Sequence, residues 1–186
     1  MIIVVSGVPR SGTFLMMQML DAGGVPMLTD GLREADEDNP RGYHEWEPAK
    51  CLPREPGRIC EAEGKAVKVI SSLLGALPYD HNYRVIFMRR PLTEVLASQA
   101  EMIRRRGTVG APLAAAALTT ALEAHLKHVT AWLSTRSLIE VCWVDYHRLL
   151  EEPLAEAERV SGFLQLRLDT RAMAQRVDRS LHRHRA

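Results

Sequence analysis

The stretch GVPRSGTF (Gly7 to Phe14) follows a short apolar run and places glycines at both ends of a tight loop. A glycine loop between a strand and a helix aims several backbone N–H groups at one point, where the helix dipole adds positive potential. That is an anion site by geometry. Gly7 and Gly12 permit the backbone path, and Ser11 and Thr13 add hydroxyl donors. Arg10 supplies a permanent charge and a planar fork suited to phosphate oxygens. In GxxxxGK[ST] a lysine and a magnesium-binding hydroxyl follow the second glycine; here Thr13 and Phe14 stand in those places. Magnesium-assisted ATP chemistry thereby loses a standard part. A second set lies in RVIFMRRPLTEVLASQ: Arg90 ends a strand pattern and Ser98 comes eight positions later, on the next helix. The two can converge on one dianionic phosphate, with Arg89 one place out of that register. A third set, His44, Glu45 and Glu47, falls within four residues of NPRGYHEWEP, a stretch with the composition of a loop.

The elements that must position these residues follow from the patterns around them. Ile2–Ser6 is a continuous apolar, β-branched run ending in glycine, as expected of a fully buried parallel strand. A helix is predicted over 12–21, stopped by Gly23–Gly24. From 29 to 64 four prolines and dense charge predict a long, mostly irregular excursion, and loops of such length usually carry function. Ala66–Ile70, Tyr83–Met88 and Leu138–Val144 are the further strand candidates. A helix starts after Pro91, an Ala-rich one covers Pro112–Leu133, and another lies around Pro153–Leu164. Strands alternating with helices predict an α/β domain with a central, mostly parallel sheet flanked by helices in three layers. Ligands of such sheets bind beyond the carboxyl ends of the strands, where Ser6–Thr13, Arg89–Arg90 and Asp145–Tyr146 all fall.

At 186 residues the chain suffices for one domain that buries roughly 70% of its unfolded-state surface. The formal net charge of +1 gives no global field toward nucleic acid or anionic membrane, so neither is expected as a partner. Cys51, Cys60 and Cys142 show neither a CxxC pair nor metal-ligand spacing, and read as free thiols of a reducing compartment. MIIVV is shorter than a signal-peptide apolar region of roughly 7–15 residues, and no run approaches the roughly 20 apolar residues that span a bilayer. The expected location is cytoplasmic. His125 and His128, at i and i+3, lack the acidic partner of a metal motif and are assigned to surface or packing. The Ala-rich helix is read as a core helix, with a homodimer face as its other use.

VVSGVPRSGTFL resembles the 5′-phosphosulfate loop of the sulfotransferases that use 3′-phosphoadenosine 5′-phosphosulfate (PAPS), in which a proline and a lysine or arginine precede SGT. The resemblance implies a P-loop-type fold over 1–186, with 29–64 as the acceptor-side excursion. It places Pro9, Arg10, Ser11, Gly12, Thr13 and Phe14 around the 5′-phosphosulfate, with Arg10 on the bridge to the leaving phosphate. Many members carry a second hydroxyl and then a Trp after the Thr; Phe14 and Leu15 depart from that. The segment RVIFMRRPLTEVLASQ is similar to the family's 3′-phosphate motif and assigns Arg90 and Ser98 to that phosphate. AVKVISSLLGALP resembles the strand and turn that deliver a catalytic lysine, here Lys68. WVDYHRLLEEPLAEAERVSGFLQL is similar to the segment whose tyrosine packs near adenine, here Tyr146. The terminal SLHRHR resembles a basic segment that closes over the nucleotide, implying Arg183 and Arg185.

Sulfuryl transfer to a hydroxyl needs a base for the acceptor proton and positive groups for the developing charge. Cytosolic members of the family place a histidine two residues after the lysine, where this chain has Ile70. Several branches use a glutamate from the acceptor-side loop, and GY-x-E-x-E resembles a pattern of small bacterial sulfotransferases. Glu45 is therefore the first candidate base, Glu47 the second and His44 the third, with Tyr43 and Trp46 as walls for a small-molecule or glycan acceptor. The expected activity is metal-free, in-line transfer from PAPS to an acceptor hydroxyl or amine, leaving 3′-phosphoadenosine 5′-phosphate. Two alternatives stand beside it. One is a P-loop small-molecule kinase, for which Asp145 is the sole strand-end carboxylate. The other is a non-catalytic nucleotide-binding module.

Overall fold

Four strands that are apolar on both faces organise the chain, and the computed structural model describes residues 1–31, 44–105 and 115–178. They are β1 (Ile2–Ser6), β2 (Ala66–Lys68), β3 (Tyr83–Arg89) and β4 (Ile139–Asp145), all parallel, in the order β2-β1-β3-β4. Side chains alternate across the sheet, so each strand feeds two cores. Ile3 and Val5, Ile86 and Met88, and Cys142 and Val144 face one side, while Ile2 and Val4, Val85 and Phe87, and Ile139 face the other. Because both sides of β1 are covered, the period of two vanishes there and leaves a continuous apolar run.

The first core is closed by α1 (Thr13–Ala22), α4 (Tyr146–Glu151), α5 (Pro153–Leu164) and α6 (Thr170–Gln175), which contribute Met16, Met17, Leu20, Leu149, Val160 and Met173. The second core is closed differently. Two short 3₁₀ turns of the 29–64 excursion, Glu47–Cys51 and Pro56–Ala62, bury Ala49, Leu52, Ile59 and Ala62 there, beside Trp46. The prolines that break an α-helix pattern open both turns. From residue 44 to 64 the excursion is thus more ordered than its composition predicts, because its scattered apolar residues cover a sheet face.

The Ala-rich segment forms α3 (Ala115–Ser134), but Val129 and Leu133 are its buried residues and none from 116 to 124 is buried. A core-helix reading holds for its second half. α2 (Leu92–Arg105) follows β3 and buries Glu94, Val95 and Ser98. Strand β2 is shorter than predicted, yet the chain continues along β1 through Val69 N–H to Val5 O (3.1 Å) and Ser71 N–H to Gly7 O (3.0 Å). Together these elements make a three-layer α/β domain. Among the described residues no helix is long and apolar enough to cross a membrane.

Strand order decides where a ligand can sit. From β1 the chain moves outward to β2, then returns past β1 to reach β3. The winding direction reverses between β1 and β3, and in open parallel sheets the crevice at such a reversal, beyond the carboxyl ends, is the binding position. The Gly7–Gly12 loop leaves β1 and Arg90 follows β3, so the two motifs flank that crevice.

Candidate functional site

The loop after β1 is built for close approach. Gly7 has φ +149° and Gly12 φ +101°. A Cβ on Gly7 would lie 2.4 Å from Ser11 Oγ and 2.9 Å from Met88 O, and one on Gly12 would lie 2.5 Å from the Tyr146 ring. Arg10 itself adopts φ +73°, a left-handed conformation that costs a non-glycine residue roughly 1–2 kcal/mol. Ser11 N–H closes the turn onto Val8 O at 3.1 Å. Helix α1 then starts with neither a side-chain cap nor an acid in its first turn. Its first-turn N–H groups find no acceptor within the helix itself, and its dipole is not offset there. Ser11 is fully buried and its hydroxyl has no hydrogen-bond partner among the described residues. A buried, unpaired hydroxyl in a loop of this shape is what an anion's oxygens would satisfy.

Helix α2 brings the second motif onto this loop. Arg10 Nε donates to Ser98 Oγ at 2.9 Å across 88 residues of sequence. Arg90 Nη1 donates to the Arg10 carbonyl at 3.3 Å, and Gln99 Nε2 to the Pro9 carbonyl at 3.2 Å. The Arg90 guanidinium lies over the Tyr146 ring, 4.5 Å from its centroid. Burial pushes the Tyr146 phenol above its ordinary pKa, and the Arg90 charge partly offsets this. Arg90 Nε also donates to Glu94 Oε2 at 2.8 Å. Glu94 is buried, and its other oxygen accepts from His147 Nε2 at 2.7 Å. Arg89 points elsewhere: it is exposed, and its guanidinium stacks on Trp143 at 5.2 Å.

At the end of β2 the structure places Lys68 beside Glu45, Nζ donating to Oε1 at 2.8 Å. Their side chains are 14% and 21% exposed, enough shelter for the pair to hold and enough opening for a ligand to reach it. Glu45 is fixed through its backbone, whose carbonyl accepts from Thr29 Oγ1 (3.0 Å) and Asp30 N–H (3.1 Å). The other two candidate bases do not meet Lys68 in this way. Glu47 pairs with Lys50 at the surface. His44 lies along α1, 3.5 Å from Asp21 and with its ring 6.1 Å from that of Phe14. Trp46 is buried with Arg58 over its ring, while Tyr43, Arg183 and Arg185 lie outside the described residues.

Several members of this neighbourhood went unnoticed in the sequence. Glu94 is four residues after Arg90, the helical ion-pair spacing, which was a usable signal. His147 and Gln99 carry no local signature. His125 Nε2 meets Ser71 Oγ at 2.8 Å, docking α3 on the end of β2, while His128 is exposed. Among the described residues no group of three His, Cys, Asp or Glu side chains could hold a metal ion, and all three cysteines are free, with Cys142 buried. Neither a protein-family model nor a curated protein matches this chain.

Proposed function

We propose that the chain is a sulfotransferase that uses PAPS as donor and an acceptor hydroxyl or amine as recipient. The observation that carries this reading is the Arg10–Ser98 hydrogen bond, with Arg90 on the Arg10 carbonyl. It joins two motifs, each suited to a phosphate, into one basic site at the sheet's reversal point. A nucleotide with phosphates at two positions fits a site with two arginines from two strand ends better than a single phosphate does. The unpaired Ser11 hydroxyl and the glycine cradle suit the 5′-phosphosulfate, and Arg90 with Ser98 suits the 3′-phosphate.

In transfer, the acceptor oxygen bonds to sulfur as the bridging S–O bond breaks, its electron pair leaving on the 5′-phosphate. Arg10 and Lys68 offset the charge that develops on the bridging oxygen. Glu45 takes the acceptor proton once Lys68 is drawn toward the donor, because a carboxylate held by an ammonium is a weak base until that contact loosens. The kinase alternative needs Asp145 as a metal-binding carboxylate. That carboxylate instead caps α4, accepting from His147 N–H and Arg148 N–H at 3.0 Å each. The non-catalytic module remains the other reading, with no observation that favours it.

Calorimetric titration with 3′-phosphoadenosine 5′-phosphate and with ATP plus magnesium tests the donor. Preference for the 3′-phosphorylated nucleotide is expected, and preference for ATP would overturn the proposal. Arg90→Ala should weaken 3′-phosphoadenosine 5′-phosphate at least tenfold more than adenosine 5′-phosphosulfate. A labelled-sulfate transfer screen over hydroxyl and amine acceptors separates an enzyme from a binding module.

A further inference from the structure

Glu94 poses a problem for any anion site. Its carboxylate, 1% exposed, sits hydrogen-bonded to the arginine that is to hold a phosphate. By charge alone it opposes an anion there, and a neutral glutamine of the same shape would serve binding better. Its geometry supplies a reason for a carboxylate. The Arg90 guanidinium is held at Nε by Glu94, at Nη1 by the Arg10 carbonyl and on its face by Tyr146. Glu94 is held in turn by His147 on its second oxygen, 2.7 Å away. Its place in the first turn of α2 is favourable for a negative charge. The chain Arg90–Glu94–His147 thus ties the residue after β3 to the start of α4, beyond β4, and a fixed fork loses less freedom when it binds an anion.

We propose that Glu94 and His147 are positioning residues that set the Arg90 guanidinium for the 3′-phosphate. This rests on the PAPS reading for the identity of the ligand, and the orientation of Arg90 can be measured apart from it. In the full chain, Glu94→Gln is expected to lower affinity for 3′-phosphoadenosine 5′-phosphate at least tenfold and to change affinity for adenosine 5′-phosphosulfate less than threefold. Glu94→Asp, which keeps the charge but not the reach, should not restore binding. His147→Gln, whose amide can still donate to Glu94, should retain more affinity than His147→Ala. Equal loss for both nucleotides would mark Glu94 as structural only, and tighter binding by Glu94→Gln would show that its charge outweighs its positioning; either result overturns the proposal. If the wild-type chain binds neither nucleotide, the PAPS reading fails, and the Arg90 Nε–H resonance decides the positioning. That proton should exchange slowly in the wild type and rapidly in Glu94→Ala, which removes its acceptor, and no difference between the two would overturn the inference.

Discussion

Gly12→Ala isolates the contact that fits the loop to the rest of the site. Two costs add at this position. The first is backbone: φ is +101°, and a left-handed conformation costs an L residue roughly 1–2 kcal/mol. The second is steric. The new methyl would lie 2.5 Å from Cδ2 and 2.9 Å from Cε2 of Tyr146. That ring is buried and stacked against Arg90, so it cannot swing clear as an exposed side chain would. Overpacking of this kind costs roughly 1–3 kcal/mol. The sum is about 2–5 kcal/mol, a fall in urea midpoint of roughly 1–2.5 M for an m-value near 2 kcal/mol/M. Gly24→Ala is the internal control, since Gly24 has φ +89° and a Cβ there would meet nothing within 4 Å. It should show the backbone cost alone. Urea unfolding of the two variants, followed by nucleotide titration, makes the test. Because the displaced ring carries Arg90, Gly12→Ala should also weaken nucleotide binding, and Gly24→Ala should not. Equal destabilisation by the two substitutions would refute the claim that Gly12 is needed for the approach of Tyr146.

Two other expectations follow from the structure. Glu45→Gln should suppress sulfuryl transfer by roughly a hundredfold or more, as for a general base, while nucleotide affinity stays within about threefold; unchanged turnover would move the base to Glu47 or His44. Tyr83, whose hydroxyl is buried without a hydrogen-bond partner among the described residues, has its pKa raised from 10.0 to about 12, first by burial and then by Asp80. The folded chain therefore binds this proton more tightly than the unfolded chain. Its contribution to stability is intact below pH 10 and is lost as pH rises toward 12, on the order of 3 kcal/mol in all. Tyr83→Phe should flatten that part of the stability–pH curve, and an unchanged slope would show that another group titrates there.

The order of strands and helices was legible in the sequence because it is a local property. Apolar, β-branched runs marked all four strands, continuous in β1 and broken by a single charge (Lys68, Arg84, Glu140) in the others, while Pro153 opened α5 and Gly23–Gly24 ended α1. The limits of that reading were also physical. Composition made 29–64 look irregular, whereas burial of Trp46, Leu52 and Ile59 against a sheet face gives residues 47–62 ordered turns. Alanines made α3 look like core throughout, whereas alanine is also the best helix former and lines its exposed half.

The site divides the same way. By themselves, the residues Gly7 to Phe14 determined a tight, glycine-framed loop at a helix start, since backbone freedom at Gly7 and Gly12 and the start of a helix are encoded within a few positions. Which partners face that loop was decided only by tertiary structure. The order β2-β1-β3-β4 puts the ends of β1 and β3 side by side, so Arg10 reaches Ser98 and Arg90 reaches the Arg10 carbonyl. The same packing seats Glu45 on Lys68 and joins His147 to Glu94. Local patterning sets each segment's conformation, but neighbours in space are selected by the burial of two sheet faces, a choice distributed over the whole chain.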